Sequence, residues 1–294
     1  MTTRQLTVHG ALPDSLRRRG VSPWTRRSGG NAELDSFLEA PMLTDDGSLL
    51  VVDVAWGRVL RVDPSGRFEV VLEYDGAPNG LASSDGGRTV VIADWMRGLI
   101  WAQRAGDGLF VTRSLESWQD APFLGLNDLV IGDDGSVFVT DQGMTGLHDP
   151  SGRVLHLTGD GVETVLLAGI PSPNGLALRS GGGELLLAVT RDNAIWSVPF
   201  GEEAIAFRVG RWVQLSGGTG PDGIALGDRG ELYVAHLGLG TVWVIDELGR
   251  VAGCFEAPSG LRTTNVAFSA AERLIYVTEA DTGTVLIGDV TTLP

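Results

Sequence analysis

The chain contains no lysine; all 22 of its basic residues are arginine. A Schiff base or a lysine general base is thereby excluded, because arginine does not give up its proton in a folded protein. The one cysteine, Cys254, sits in the apolar run VAGCFEA. It has no partner for an intrachain disulfide, and no adjacent His or charge pattern to make it a nucleophile, so it reads as a buried strand thiol. Histidine is scarce and scattered, at positions 9, 148, 156 and 236, without the spacing of a closed structural zinc site. The G-x-S-x-G signature of a serine hydrolase is absent. No apolar stretch reaches the roughly 18 residues needed to span a bilayer. The opening segment MTTRQLTVHGALPDSLRRRG lacks both the apolar core and the cleavage site of a secretory signal, which predicts a cytoplasmic protein that does not engage membranes. Positive charge is also in short supply. With 37 acidic against 22 basic residues the net charge is −15, and the sole basic cluster, Arg17–Arg19 with Arg26 and Arg27, belongs to a solvated N-terminal segment. A nucleic-acid partner is therefore not expected.

What is abundant is glycine, 42 of 294 residues, in a chain that is 43% apolar. That balance, with few helical patterns, suits a single all-β domain rich in turns. A repeat organises it. Six apolar runs open at Glu39, Asn79, Asn127, Asn174, Asp222 and Asn265, at intervals of 40 to 48 residues, and each leads through a hairpin into a second strand, such as DDGSLLVVDV, DDGSVFVTDQG or SGGGELLLAVT. A period in the forties with several short alternating strands per repeat is the signature of a propeller blade. In the fourth repeat the strands read NGLALRS, ELLLAVT, AIWSVPF and, from about Ala206, AFRVGRWVQL. The sixth repeat has only three strands before the sequence closes at Pro294, which would leave an open edge. The expected architecture is a six-bladed β-propeller of four antiparallel strands per blade over residues 39–294, with the segment 1–38 contributing the strand that closes the ring.

In this arrangement the six openings and the six loops between second and third strands line one mouth. Trp56, Trp95, Met96, Met144, His148, His236 and Leu239 would surround it. Glu39, Asn127, Asn174 and Asp222 would point into a narrow axial channel, where an uncompensated carboxylate is costly. Two carboxylates and two amide oxygens form an all-oxygen set suited to a hard cation, Ca²⁺ first, with Mg²⁺, Mn²⁺, Zn²⁺ or Fe²⁺ as alternatives. Asn-Gly and Asp-Gly are also ordinary turn formers. That alternative covers Asn79 and Asn265 well, but not Glu39.

The segments LEAPMLTDDGSLLVVDV, GLNDLVIGDDGSVFVTD, PSPNGLALRSGGGELLLAVT and GPDGIALGDRGELYVAHLGLGTVWVID together resemble the regucalcin/gluconolactonase (SMP-30/gluconolactonase/LRE-like) family, and within it the bacterial drug-responsive lactonases. The resemblance spans about residues 37–290. It implies a six-bladed propeller with an axial metal held by a Glu, one or two Asn and an Asp, positions that fall here on Glu39, Asn127, Asn174 and Asp222. It also implies a lactone or ester hydrolase in which Asp222 is the general base.

Asp128 is the second candidate acid–base group, although strand alternation turns it away from the axis. Asn79, Trp56, Trp95, Met144, His148 and His236 are candidate substrate contacts. Sugar-lactone members of the family carry an arginine at the position of Gly125, two residues before the Asn that meets substrate. Its absence, and mouth loops such as DQGMTG and AHLGLG, point to a small-molecule lactone or ester less hydroxylated than gluconolactone. The other readings are an organophosphate or aryl-ester hydrolase, a biosynthetic cyclase or lyase on the same scaffold, and a non-catalytic Ca²⁺-binding propeller. The expected assembly is a monomer or weak homo-oligomer.

Overall fold

The structure, a computed structural model, describes residues 2–28, 30, 32–118, 121–159, 161–179, 181–201 and 203–291, with the side chains of 161–163 left aside. Six four-stranded antiparallel units stand around a common axis. Their innermost strands are Leu38–Leu43, Pro78–Ala82, Leu126–Ile131, Pro173–Leu178, Gly220–Leu226 and Thr263–Ser269. Each adjoins the next in cyclic order, and the sixth meets the first. Second and third strands are covered on both faces by the neighbouring blades and so read as unbroken apolar runs; Leu49–Asp53 is buried at every position. The core is accordingly divided into seams between blades, such as the one joining Val52 and Val59 to Ile92 and Ala102, and the one joining Tyr233 and Phe255 to Val277 and Leu286.

The sixth blade takes its outer strand from the N-terminus: Thr7–Ala11 pairs antiparallel with Thr284–Asp289. The preceding strand, Thr2–Gln5, runs parallel to Val251–Glu256 on the fifth blade, an addition the repeat pattern does not suggest. Leu6, between the two, is buried in the seam they share. The N-terminus therefore staples two blades rather than one. In the fourth blade the outer strand begins at Gly210, later than the sequence implies. Ala204 and Arg208 hold left-handed φ of 49° and 50° and break the extended run that precedes it. Among the described residues no helix is long and apolar enough to cross a membrane.

Four blades end their second strand on an acid that ties the mouth together. Asp53 accepts from Phe37 N (2.9 Å) and pairs with the buried Arg58; Asp94 accepts from Ala77, Met96 and Arg97 N; Asp141 accepts from Gly125 N and pairs with Arg153; Glu279 accepts from Arg262, Asp281 and Thr282 N. These carboxylates are spent on loop backbone and are not part of the axial set.

Candidate functional site

In all six blades the inner strand slips register against its partner around the opening residue: between Glu39 and Met42, Pro78 and Gly80, Leu126 and Leu129, Pro173 and Leu176, Pro221 and Ile224, and Thr263 and Asn265. A bulge of this kind adds an unpaired residue, breaks period-two alternation and re-aims side chains. Glu39, Asn79, Asn127, Asn174 and Asp222, all buried, thereby come together as part of the lining of one cavity of about 700 Å³ at the mouth. Asp128 is a correction to the alternation argument. It too faces the channel, lining a separate cavity of about 370 Å³ formed by the inner strands on the side away from the mouth.

The Asn-Gly and Asp-Gly pairs are not turns. Gly80, Gly175 and Gly223 lie within the inner strands, outside the left-handed region, and their role is close approach. A Cβ on Gly80 would lie 2.8 Å from Asp128 Cα and 3.0 Å from its Oδ1, one on Gly175 2.5 Å from Asp222 O, and one on Gly223 2.0 Å from Asn265 Oδ1. Each glycine clears space for a polar residue of the next blade. In the first blade Ala40 takes this position at a left-handed φ of 49°, backbone strain next to a site residue, and its N–H donates to Glu39 Oε2 at 2.8 Å.

Three acids converge here without a basic partner. Burial is the main cause that raises the Glu39 carboxyl well above its ordinary range, followed by the nearby Asp222 and then, more weakly, Asp128. Burial likewise pushes Asp222 up to about 8 and Asp128 up to about 7. Among the described residues none of the three forms an ion pair. The amides around them are ordered by their own hydrogen bonds. Asn127 Nδ2 donates to Gln142 Oε1 (2.9 Å) and Gln142 Nε2 to Ser172 Oγ (3.0 Å), which leaves Asn127 Oδ1 as the free acceptor. Asn174 donates to Asp222. Asn265 spends its Oδ1 on Val266 N (2.7 Å) and donates its amide N–H groups to Glu39 and Asp128.

The chemistry of this donor set fits a hard divalent cation. Glu39 and Asp222 bring two charges with no counter-ion, and Asn127 and Asn174 bring neutral oxygens. Among the described residues no group of three or more His, Cys, Asp or Glu is arranged around a metal, so such a site depends on the amides.

Of the other residues named from sequence, Asn79, Trp95, Met144 and His148 line the mouth cavity. Trp56 does not; its Nε1 donates to Asp35 O (3.2 Å), fixing the N-terminal segment. His236 is also outside the cavity and has no exposed surface. It stands where four other blades carry the loop-tying acid: its Nε2 bonds Gly217 O (3.0 Å) and its Nδ1 accepts from Trp243 Nε1 (3.0 Å), and burial lowers its pKa. We expect His236→Ala to cost about 2–3 kcal/mol in denaturant unfolding, since it empties a fully buried position and removes both ring hydrogen bonds, with activity per folded molecule within about twofold of the parent.

Sequence reasoning misses part of the wall. Trp24 rides on the short helix Pro23–Arg27, capped by Ser22 Oγ accepting from Thr25 N (3.2 Å), and packs against Phe37 at 5.0 Å; both rings line the cavity. The Pro at the helix start after Ser22 is the local signal that could have found it. Gly125, φ +147°, holds its place because a Cβ there would fall 2.6 Å from Trp95 Nε1. The Trp95 indole occupies the space a side chain would need.

A family model described as the SMP-30/Gluconolactonase/LRE-like region matches residues 37–281. Pentonolactonase XacC of Haloferax volcanii is 27% identical over 241 residues, 80% of this chain and 78% of that protein. Two solved structures share the fold: a gluconolactonase of Xanthomonas campestris (20% identity, 96% of each chain, TM-score 0.74) and a calcium-binding regucalcin of Agrobacterium tumefaciens (21% identity, 98% of this chain and 95% of the other, TM-score 0.75). With its six-bladed ring and a family match that runs from the first blade into the last, the chain belongs to the SMP-30/gluconolactonase/LRE-like family.

Proposed function

We propose that the protein is a divalent-cation-dependent lactonase acting on small lactones less hydroxylated than gluconolactone. The observation that carries this reading is the uncompensated Glu39–Asp222 pair with the Asn127 and Asn174 amides at the base of the mouth cavity; the pentonolactonase and gluconolactonase relatives support it. Glu39, Asn127, Asn174 and Asp222 would hold the ion. Bound there, a divalent cation, Ca²⁺ foremost, supplies positive charge that polarises a carbonyl and stabilises the developing oxyanion.

The chain's own groups do the rest. As water adds to the lactone carbonyl carbon, its proton passes to the Asp222 carboxylate. When the ring C–O bond breaks, Asp222 returns the proton to the departing ring oxygen, which leaves as an alcohol. Asn265 positions Glu39 from the far side of the channel, and Asp128, the second acid–base candidate, acts on Glu39 as a like-charged neighbour. Trp24, Phe37, Trp95 and Met144 give the cavity an apolar wall. Gln142 and Ser172, which also line the cavity, bond to each other.

The test is hydrolysis of a lactone series by pH-stat, before and after chelation and with metal added back. Aliphatic or aromatic lactones should exceed gluconolactone in kcat/KM by about tenfold or more. Faster turnover of gluconolactone would overturn the substrate preference. Failure to hydrolyse any lactone would overturn the activity itself.

A further inference from the structure

We infer that Arg191 recognises a carboxylate carried by the substrate lactone at the end away from the reacting carbonyl; the inference rests on the lactonase reading and names its substrate class more closely. Among the described residues, Arg191 is the one arginine lining the mouth cavity. Its side chain is exposed at the lip, and among the described residues it makes no ion pair or hydrogen bond. The acid beside it does not neutralise it. Asp192 accepts from Arg211 Nε (2.6 Å) and a terminal guanidinium nitrogen (2.7 Å), and from Trp196 Nε1 (2.7 Å), so a second arginine and an indole have already taken its oxygens. The turn that carries Arg191, Thr190–Asp192, is anchored by Thr190 Oγ1 donating to Pro221 O at 2.8 Å. Across Gly146 stands His148: a Cβ on that glycine would meet His148 Nδ1 at 3.2 Å and Arg191 Cγ at 3.7 Å. These two side chains make a basic lip on a chain whose net charge is −15.

Among the described residues lining the cavity, the other charged side chains are Glu39 and Asp222 at the floor, whose charge the cation of the lactonase reading offsets. A lactone with a carboxylate substituent is therefore oriented by the field of the cavity. The guanidinium fork at the lip accepts the carboxylate in a bidentate pair, which turns the neutral ring carbonyl inward. A neutral lactone would need no such cation, and a sugar lactone would need hydroxyl partners instead.

The experiment compares a γ-lactone bearing a ring carboxylate with the corresponding carboxamide. The parent protein should prefer the acid by about tenfold in kcat/KM, mostly through KM, and about 0.5 M salt should erode the preference. In Arg191→Gln the acid-to-amide ratio should fall to near one. Equal handling of the two by the parent, or an Arg191→Gln variant that loses both alike, overturns the inference while leaving the lactonase reading intact. Calorimetry with the matching lactam carboxylate, which resists hydrolysis, tests recognition even if no lactone is turned over. Binding should weaken about tenfold in Arg191→Gln, and unaltered binding contradicts the assignment.

Discussion

Asp222→Asn should lower kcat for lactone hydrolysis by about a thousandfold while the propeller remains folded. The substitution keeps size and shape but removes both a proton acceptor and one of two charges offered to a cation. Asp222 is suited to the first task because burial raises its carboxyl above the ordinary range and so strengthens it as a proton acceptor. Loss of fold is not expected. The carboxylate has no basic partner and its like-charged neighbours are Glu39 and Asp128, so a neutral amide relieves repulsion. Without added metal the variant should melt no lower than the parent. Steady-state kinetics with circular dichroism melting checks both halves, and full activity of Asp222→Asn would remove it from the mechanism.

Gly175→Ala should destabilise the protein by about 3 kcal/mol and lower the melting midpoint by roughly 6–12 °C. The new methyl would sit 2.5 Å from Asp222 O, 2.7 Å from Gly223 Cα and 2.8 Å from Ile224 N, all backbone atoms of the next inner strand. No rotamer change can clear such a clash, so the two strands must part. The same movement displaces Asp222 from Asn174, and activity per folded molecule should fall with stability. A melting midpoint equal to the parent's would show that the inner strands are not packed as tightly as the close-approach argument requires. Gly106→Ala is the control: a Cβ there meets nothing within 4 Å, although φ of +59° adds strain of its own.

The blade count and ring closure are legible in the sequence because a period of 40 to 48 residues survives wide variation in loops, and because a three-stranded last repeat demands a strand from elsewhere. The mouth cavity gathers Glu39, Asn79, Asn127, Asn174 and Asp222 from five such openings. What alternation could not convey is the bulge on every inner strand, a register slip set by backbone pairing between strands. That slip carries Asp128 to the axis, against the period-two expectation. His236 misleads for a related reason. Its place after VA in LYVAHL matches acids in four other blades, but a histidine near a mouth loop reads as a contact until its two ring nitrogens are seen to be satisfied. Trp24 lies in the arginine-flanked N-terminal segment that composition marks as solvated, and the helix carrying it is only five residues long.

The most direct test of the axial site is calorimetric titration of chelated protein with Ca²⁺ across pH and in buffers of different ionisation enthalpy. The carboxyl pKa of Asp222 is raised to about 8 and that of Glu39 also upward, so near pH 7 binding must expel protons, and affinity should rise with pH across this range. The account predicts one ion per chain, net proton release, and affinity lowered by about a hundredfold or more in Glu39→Gln. Absence of binding at any pH, or binding that releases no protons and survives Glu39→Gln, would contradict it.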